Sequence, residues 1–421
     1  MSLLSSVECG GRAGWCNGTA PVSSPVRWFF FLIVTLTSLL LPGYCLAKPF
    51  VPSDGNQLLL QRAYTVSSPA QGLPVIDDVA FDDALNQARS YLIQASTHSS
   101  SDYYQYAKIA LEPWWQKQIF NHKQKGNQLR LLRAQINQHQ HRFDAALEDL
   151  QTLLGRQPQH TQARLMRAAI YLAMGEPTKS RADCLTLTLS IDSLLVMNCV
   201  AQAEGVMGNA RLMQTKIQQR LSNLDVHDLD VEISRQLLVT LAELSAYAAQ
   251  PDLADQYYKQ ALQLQPNDRQ LLMRYSEFLL LQQRFKPLYR LTGEDDSVDT
   301  LLFKVVAGYK TNPKAIEPHL SNLAKEAQIA QTRNDVDSKK WLAMYYLYME
   351  SKPVLAVQYA QENWQIQKTM TDTMLLLQAL EREGSESLPS ALQQWLGQNR
   401  IETQQLQLAM SRWGDFKEEE I

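Results

Sequence analysis

Residues 127–158, NQLRLLRAQINQHQHRFDAALEDLQTLLGRQP, restrict this chain more than any other stretch. Leu129, Leu132 and Ile136 recur at helical spacing, as do Phe143, Ala146, Leu147, Leu150, Leu153 and Leu154, so the segment reads as two amphipathic helices. The polar run 137–142 separates them, and Pro158 stops the second. Small Ala134 and Ala146 sit where two helices can approach closely. The unit is a helix–turn–helix hairpin that cannot bury its apolar stripes alone, so it needs stacked neighbours.

Those neighbours follow in sequence. Residues 161–192 carry Ala168, Tyr171 and Gly175 at the small, aromatic and turn positions, and residues 194–225 carry Ala201 and Gly208. Residues 235–266 repeat the spacing with Ala242, Ala254, Tyr258, Ala261 and Pro266. Pro158 and Pro266 lie 108 residues apart, three periods of about 34 with a small surplus. We place the surplus at 227–234, as a longer loop. Residues 269–291 add a fifth unit, and the acidic stretch 292–299 (TGEDDSVD) is the clearest internal break. Residues 77–126 form a looser first hairpin, in which Asp102 is expected to cap the helix 103–111 and Pro113 to end it. Residues 300–413 read as degenerate hairpins, ending with helices 373–382, 389–396 and 404–413. Residues 414–421 are a charged tail. The β-leaning stretch 185–190 is assigned by register to a helix end. The fold expected is all-α, an α-solenoid of stacked antiparallel hairpins.

The first 76 residues are of another kind. Residues 1–26 are polar, Arg27 precedes the apolar run 28–41 (WFFFLIVTLTSLLL), and Pro42-Gly43 leads to Ala47. This is the layout of a secretory signal peptide, with cleavage expected after Ala47. The alternative is a retained inner-membrane anchor, although the run is short of the roughly 20 apolar residues a span needs. Residues 1–25 exceed an ordinary signal peptide and read as an over-extended start, translation beginning at Val26. Residues 48–76 form a linker. Cleavage would leave only Cys184 and Cys199 of the five cysteines. They fall on neighbouring predicted helices, and in an oxidising compartment such a pair is a disulfide candidate; the alternative is two buried thiols.

The repeat pattern of 127–291 resembles the tetratricopeptide repeat (TPR) family, and 77–115 and 299–398 do so loosely. The segments Ala110-Leu111-Glu112-Pro113-Trp114-Trp115, Phe143-Asp144-Ala145-Ala146-Leu147 and 360–367 (AQENWQIQ) resemble a group of uncharacterised exported bacterial TPR proteins. Two places depart from that group: Lys368-Thr369-Met370, where a Glu-Pro pair is usual, and Ser338-Lys339-Lys340-Trp341, which lacks the usual His-x-x-Glu-like opening. The resemblance implies a superhelix whose concave face, lined by the first helix of each repeat, takes a peptide or helix. By register the groove-facing residues are Gln128, Leu131, Gln135 and Gln138, then Gln162, Leu165 and Ala169, then Asn198 and Gln202, then Gln236, Val239, Glu243 and Tyr247. Amides mixed with apolar groups suit a peptide backbone; the plain alternative is that the glutamines are solvated helix formers.

No reactive constellation emerges. His139-x-His141 is the one close histidine pair and lies at a turn, with no ligand set around it. H-E-x-x-H, G-x-S-x-G and phosphate-binding glycine motifs are absent. A net charge of −3 without a basic stripe speaks against nucleic acid. Trp114-Trp115 reads as a plug between the first hairpin and the first regular repeat, and Trp364 as core. The function expected is therefore an exported, cofactor-free scaffold in the bacterial envelope, most simply the periplasm, binding a protein or peptide. The alternative is a non-catalytic helical part of an envelope enzyme system, such as one processing cell-wall glycan, or a membrane-anchored assembly factor. No catalytic residue is nominated, and the sequence leaves the oligomeric state open.

Overall fold

The protein is described from a computed structural model, covering residues 78–98, 101–115, 123–188, 193–222, 230–295 and 297–413. The signal-peptide, linker and tail assignments lie outside these residues. No helix among the described residues is long and apolar enough to cross a membrane.

The chain climbs in helix pairs: α1 (Asp78–His98) with α2 (Ser101–Leu111), α3 (Lys123–His139) with α4 (Phe143–Arg156), and α5 (Thr161–Ala173) with α6 (Pro177–Leu185). Next come α7 (Ser193–Glu204) with α8 (Ala210–Ser222), α9 (Val231–Tyr247) with α10 (Pro251–Leu264), and α11 (Arg269–Leu281) with α12 (Phe285–Thr292). The last pairs are α13 (Val298–Thr311) with α14 (Pro313–Arg333), and α15 (Val336–Tyr348) with α16 (Pro353–Ile366). Three helices end the chain: α17 (Met370–Glu383), α18 (Ser390–Asn399) and α19 (Gln404–Met410). No strand occurs among the described residues. The all-α solenoid is therefore the observed architecture.

Packing follows the sequence pattern. In the first regular hairpin, Leu129, Leu132, Ile136, Phe143, Ala146, Leu150, Leu153 and Leu154 are all buried. Helices α9 and α11 start on side-chain acceptors. Asp230 accepts from the Glu232 and Ile233 amides at 2.8 and 3.3 Å, and Asp268 from Leu271 at 3.0 Å. Trp114 stacks on Phe81 with ring centroids 5.6 Å apart, and Trp115 presents its carbonyl to Arg133. The tryptophan pair thus packs where the first hairpin meets α3.

Four details differ from the sequence reading. Helix α2 begins at Ser101, so Asp102 lies inside its first turn rather than at its cap. Of the surplus residues expected in a loop, 231–234 instead extend α9 by a turn behind the Asp230 cap, and 227–229 lie outside the described residues. The junction of α7 and α8 is a π turn, Gly205–Asn209, with Gly208 at φ +92°. Helices α17 and α18 do not close into a tight hairpin. Instead α18 reaches back to the turn between α5 and α6.

Two repeated devices hold the hairpins. Arg133 on α3 forks onto Asp149 on α4, and 34 residues later Arg167 on α5 forks onto Asp183 on α6, at 2.7 and 2.6 Å. Arg164 adds a bond to Asp183 at 3.0 Å. Bidentate pairs of this kind combine charge with fixed geometry. Burial pushes the Asp149 carboxyl up, and the Arg133 guanidinium opposes that rise. The second device is the turn itself: His141, Gly175, Ala249, Gln283 and Ser351 all adopt left-handed backbone at the joint within a pair.

Candidate functional site

The first helices α3, α5, α7 and α9 lie side by side, as the repeat register requires. The nominated residues separate into three groups. Gln138, Ala169, Gln202, Glu243 and Tyr247, from these four helices, line one cavity of about 410 Å³. Gln128, Leu131, Gln135, Gln162 and Leu165 lie outside it, half-buried or exposed. Asn198 and Val239 are buried, and Gln236 is spent on Glu232 at 2.7 Å.

The amides differ in how they are used. Gln202 donates to Thr240 at 3.2 Å. The side chains of Gln128, Gln135, Gln138 and Gln162 make no hydrogen bond to any described residue. The first two regular repeats thus present unpaired amides, whereas Gln202 and Gln236 of the later ones are consumed in the fold.

The cavity exists because the end of the chain covers the inner face of the middle repeats. The Lys368 amide donates to the Ala173 carbonyl at 2.7 Å, and the Trp395 indole to the Gly175 carbonyl at 3.0 Å. The Glu402 amide donates to the Val206 carbonyl at 3.0 Å, within the π turn. Gln378 reaches the Leu281 carbonyl at 2.8 Å, and Arg211 meets Gln404 at 3.0 Å. Trp395 also meets Trp364 edge to face at 5.3 Å, and Trp364 is core as expected. Two glycines receive this roof. A Cβ on Gly175 would stand 2.5 Å from the Trp395 indole nitrogen, and one on Gly208 would stand 3.1 Å from the Glu402 carbonyl. Left-handed backbone alone does not demand glycine here, since Ala249 and Gln283 tolerate it at the equivalent joint.

Charged groups line the floor. Arg274 on α11 pairs with Glu243 at 3.0 Å and still keeps 57% of its side-chain surface open. Lys340 on α15 binds Glu277 at 2.8 Å and lies 3.4 Å from fully buried Asp372. Burial disfavours the Lys340 ammonium, yet Asp372 and Glu277 outweigh it and hold the amine above the ordinary lysine range. Burial raises the Glu243 carboxyl against the pull of Arg274, and burial with Glu243 nearby raises the Tyr247 phenol. Asp372 also serves Thr369 in the capping box of α17, which fixes the cavity lip. Sequence pattern had marked none of Arg274, Glu277, Lys340, Lys368 or Trp395 for this site.

The histidine pair has ordinary structural duties. His139 stacks on Tyr104 at 3.5 Å and His141 packs edge-on to Phe143. His160 accepts the Ala163 amide at 3.3 Å, capping α5. No group of three metal-ligating side chains occurs among the described residues. Cys184 and Cys199 face each other with Cα atoms 5.7 Å apart.

No protein-family model matches this chain, and no curated protein does. Among solved structures, the crystal structure of the P58(IPK) TPR domain is similar over 79% of this chain and 97% of that one, at 15% identity and a TM-score of 0.23. At that score the likeness adds no argument about the site, and the all-α solenoid rests on the helix pairs themselves.

Proposed function

We propose that this chain is an exported interaction scaffold of the bacterial envelope, holding an extended peptide or protein segment against α3 and α5. The observation that carries this reading is the row of unpaired amides, Gln128, Gln135, Gln138 and Gln162, flanked by half-buried Leu131 and Leu165. Such a row offers donors and acceptors to a peptide backbone and apolar seats between them. The roof covers α5 to α11 further on, which confines a bulky partner to the N-terminal side. Export rests on the leader-like pattern of residues 27–47, and the proposed Cys184–Cys199 disulfide is consistent with an oxidising compartment.

Site-specific photocrosslinking in the native envelope tests it. A photoreactive residue at Gln135 or Gln162 should give one discrete protein adduct, while the same probe at exposed Gln151 on α4 should not. Equal adducts from all three positions, or none, would refute the assignment. Fractionation of the cells tests export separately.

A further inference from the structure

The roofed cavity and the open amide row call for different ligands. At about 410 Å³ the cavity lies in the range of small-molecule sites, and the roof bars a helix or folded domain from it. Its lining is also unlike the row outside. Three cations, Arg274, Lys340 and Lys368, line it together with two carboxylates, Glu243 and Glu277. Glu243 answers Arg274, and Glu277 answers Lys340 with help from Asp372 behind it. Lys368 is left over. Its ammonium meets only the Gln365 carbonyl at 3.1 Å and the Trp364 ring at 5.1 Å, with no carboxylate in ion-pair range. A half-buried cation without a counter-ion is costly, and burial does push the Lys368 amine below its ordinary value, with Glu176 opposing only in part.

Arg274 spends a single nitrogen on Glu243, which leaves the rest of its fork to donate. Tyr247 and Thr371 have hydroxyls without a hydrogen-bond partner among the described residues, and Gln138 an equally unpaired amide. Hydroxyls and amides both donate and accept, so they match ligand hydroxyls; Lys368 and Arg274 match one carboxylate.

We infer that this cavity binds a small polyhydroxylated organic acid carrying one net negative charge, its carboxylate held by Lys368 and the free side of the Arg274 fork. The site shares Gln138 with the amide row on α3 and α5 but does not depend on Gln128, Gln135 or Gln162, which lie outside the cavity.

The test is thermal unfolding of the purified chain with D-gluconate, D-glucuronate and N-acetylneuraminate. Neutral N-acetylglucosamine and sodium chloride of matched ionic strength serve as controls. At least one acid at about 10 mM should raise Tm by about 2 °C or more, with no rise from either control. Arg274→Gln should abolish the rise, but that change also strands Glu243. Lys368→Met is the cleaner variant because it breaks no ion pair, and it should abolish the rise as well. A Gln135→Ala, Gln162→Ala double variant should retain the rise while losing the adduct formed by a photoreactive residue at Gln128, so the two assignments fail independently. No rise with any of the three acids, an equal rise with sodium chloride, or a rise that survives Lys368→Met would each overturn the inference.

Discussion

Trp395 donates its indole N–H to the carbonyl of Gly175, 3.0 Å away in space and 220 residues away in sequence. The glycine is at φ +77°, but Ala249 holds the same kind of backbone at the corresponding joint two repeats on. Close approach of the indole, rather than the turn, is what excludes a side chain at position 175.

Gly175→Ala should therefore destabilise by about 1–3 kcal/mol, the usual cost of overpacking, and Trp395→Ala by about 3–5 kcal/mol. The double variant should cost less than their sum, because without the indole an alanine at 175 resembles Ala249. Urea unfolding of the four proteins gives the coupling energy. A value under about 0.5 kcal/mol would mean that the turn alone selects glycine.

The repeated Arg–Asp forks make a second prediction. Asp149 is 2% exposed and holds Arg133 across the hairpin. Asp149→Ala strands a largely buried guanidinium and should cost about 3–5 kcal/mol, whereas the apolar pair Arg133→Met with Asp149→Leu should be close to neutral. Parallel losses are expected for Asp183, 34 residues on. Denaturant midpoints of single and paired variants decide this.

Asp335 caps α15 and accepts from the Ser338 amide at 2.9 Å. Burial raises its carboxyl, but the Ser338 hydroxyl and amide and nearby Arg333 outweigh it and hold the group below 3.8. A lowered folded value means the contribution is present above pH 3.8 and is lost as pH falls through that lower value. Asp335→Ala should cost about 1 kcal/mol near neutral pH, and the difference from wild type should shrink at about pH 2.5. Partial exposure keeps the ion-pair share small. Stability measured across acid pH checks the sign.

The Cys184–Cys199 pair is separated by 15 residues. If bridged, a loop of that length contributes about 3 kcal/mol. Thiol counting under denaturation should find no free thiol in envelope-derived protein, and reductant should lower the urea midpoint. A Cys184→Ser, Cys199→Ser variant should match the reduced protein. Two titratable thiols in freshly isolated material would exclude the bridge.

Much of this architecture is legible in the sequence, because nearest-neighbour stacking leaves a periodic trace. Leu129, Ile136, Leu150 and Leu153 mark the first regular hairpin, and all four are buried. The Arg133–Asp149 and Arg167–Asp183 forks carry the same trace, with identical spacing one period apart, although apolar periodicity passes over them. The left-handed joints escape notice because His141, Gly175, Ala249, Gln283 and Ser351 share a backbone shape and no side-chain type. The roof leaves no period at all. Trp395, Glu402 and Lys368 meet partners far back in the chain through single contacts, two of them to backbone carbonyls by backbone amides. The segments around Lys340 and Lys368-Thr369-Met370, where the sequence departs from the group it resembles, both border the cavity, but nothing in that departure pointed to a roof.

The tie between positions 175 and 395 also gives the molecule a schedule. As the chain emerges N-terminus first, Gly175 appears 220 residues before its partner, an interval of roughly 10–45 s if emergence keeps pace with ordinary elongation rates. During that interval the pairs up to α11 appear one after another and can stack, yet their inner face stands uncovered, with Leu172, Val206 and Tyr247 still lacking the roof. The nascent chain therefore presents a stickier surface than the finished one. A chaperone or an early ligand would meet a binding face that the complete protein no longer offers.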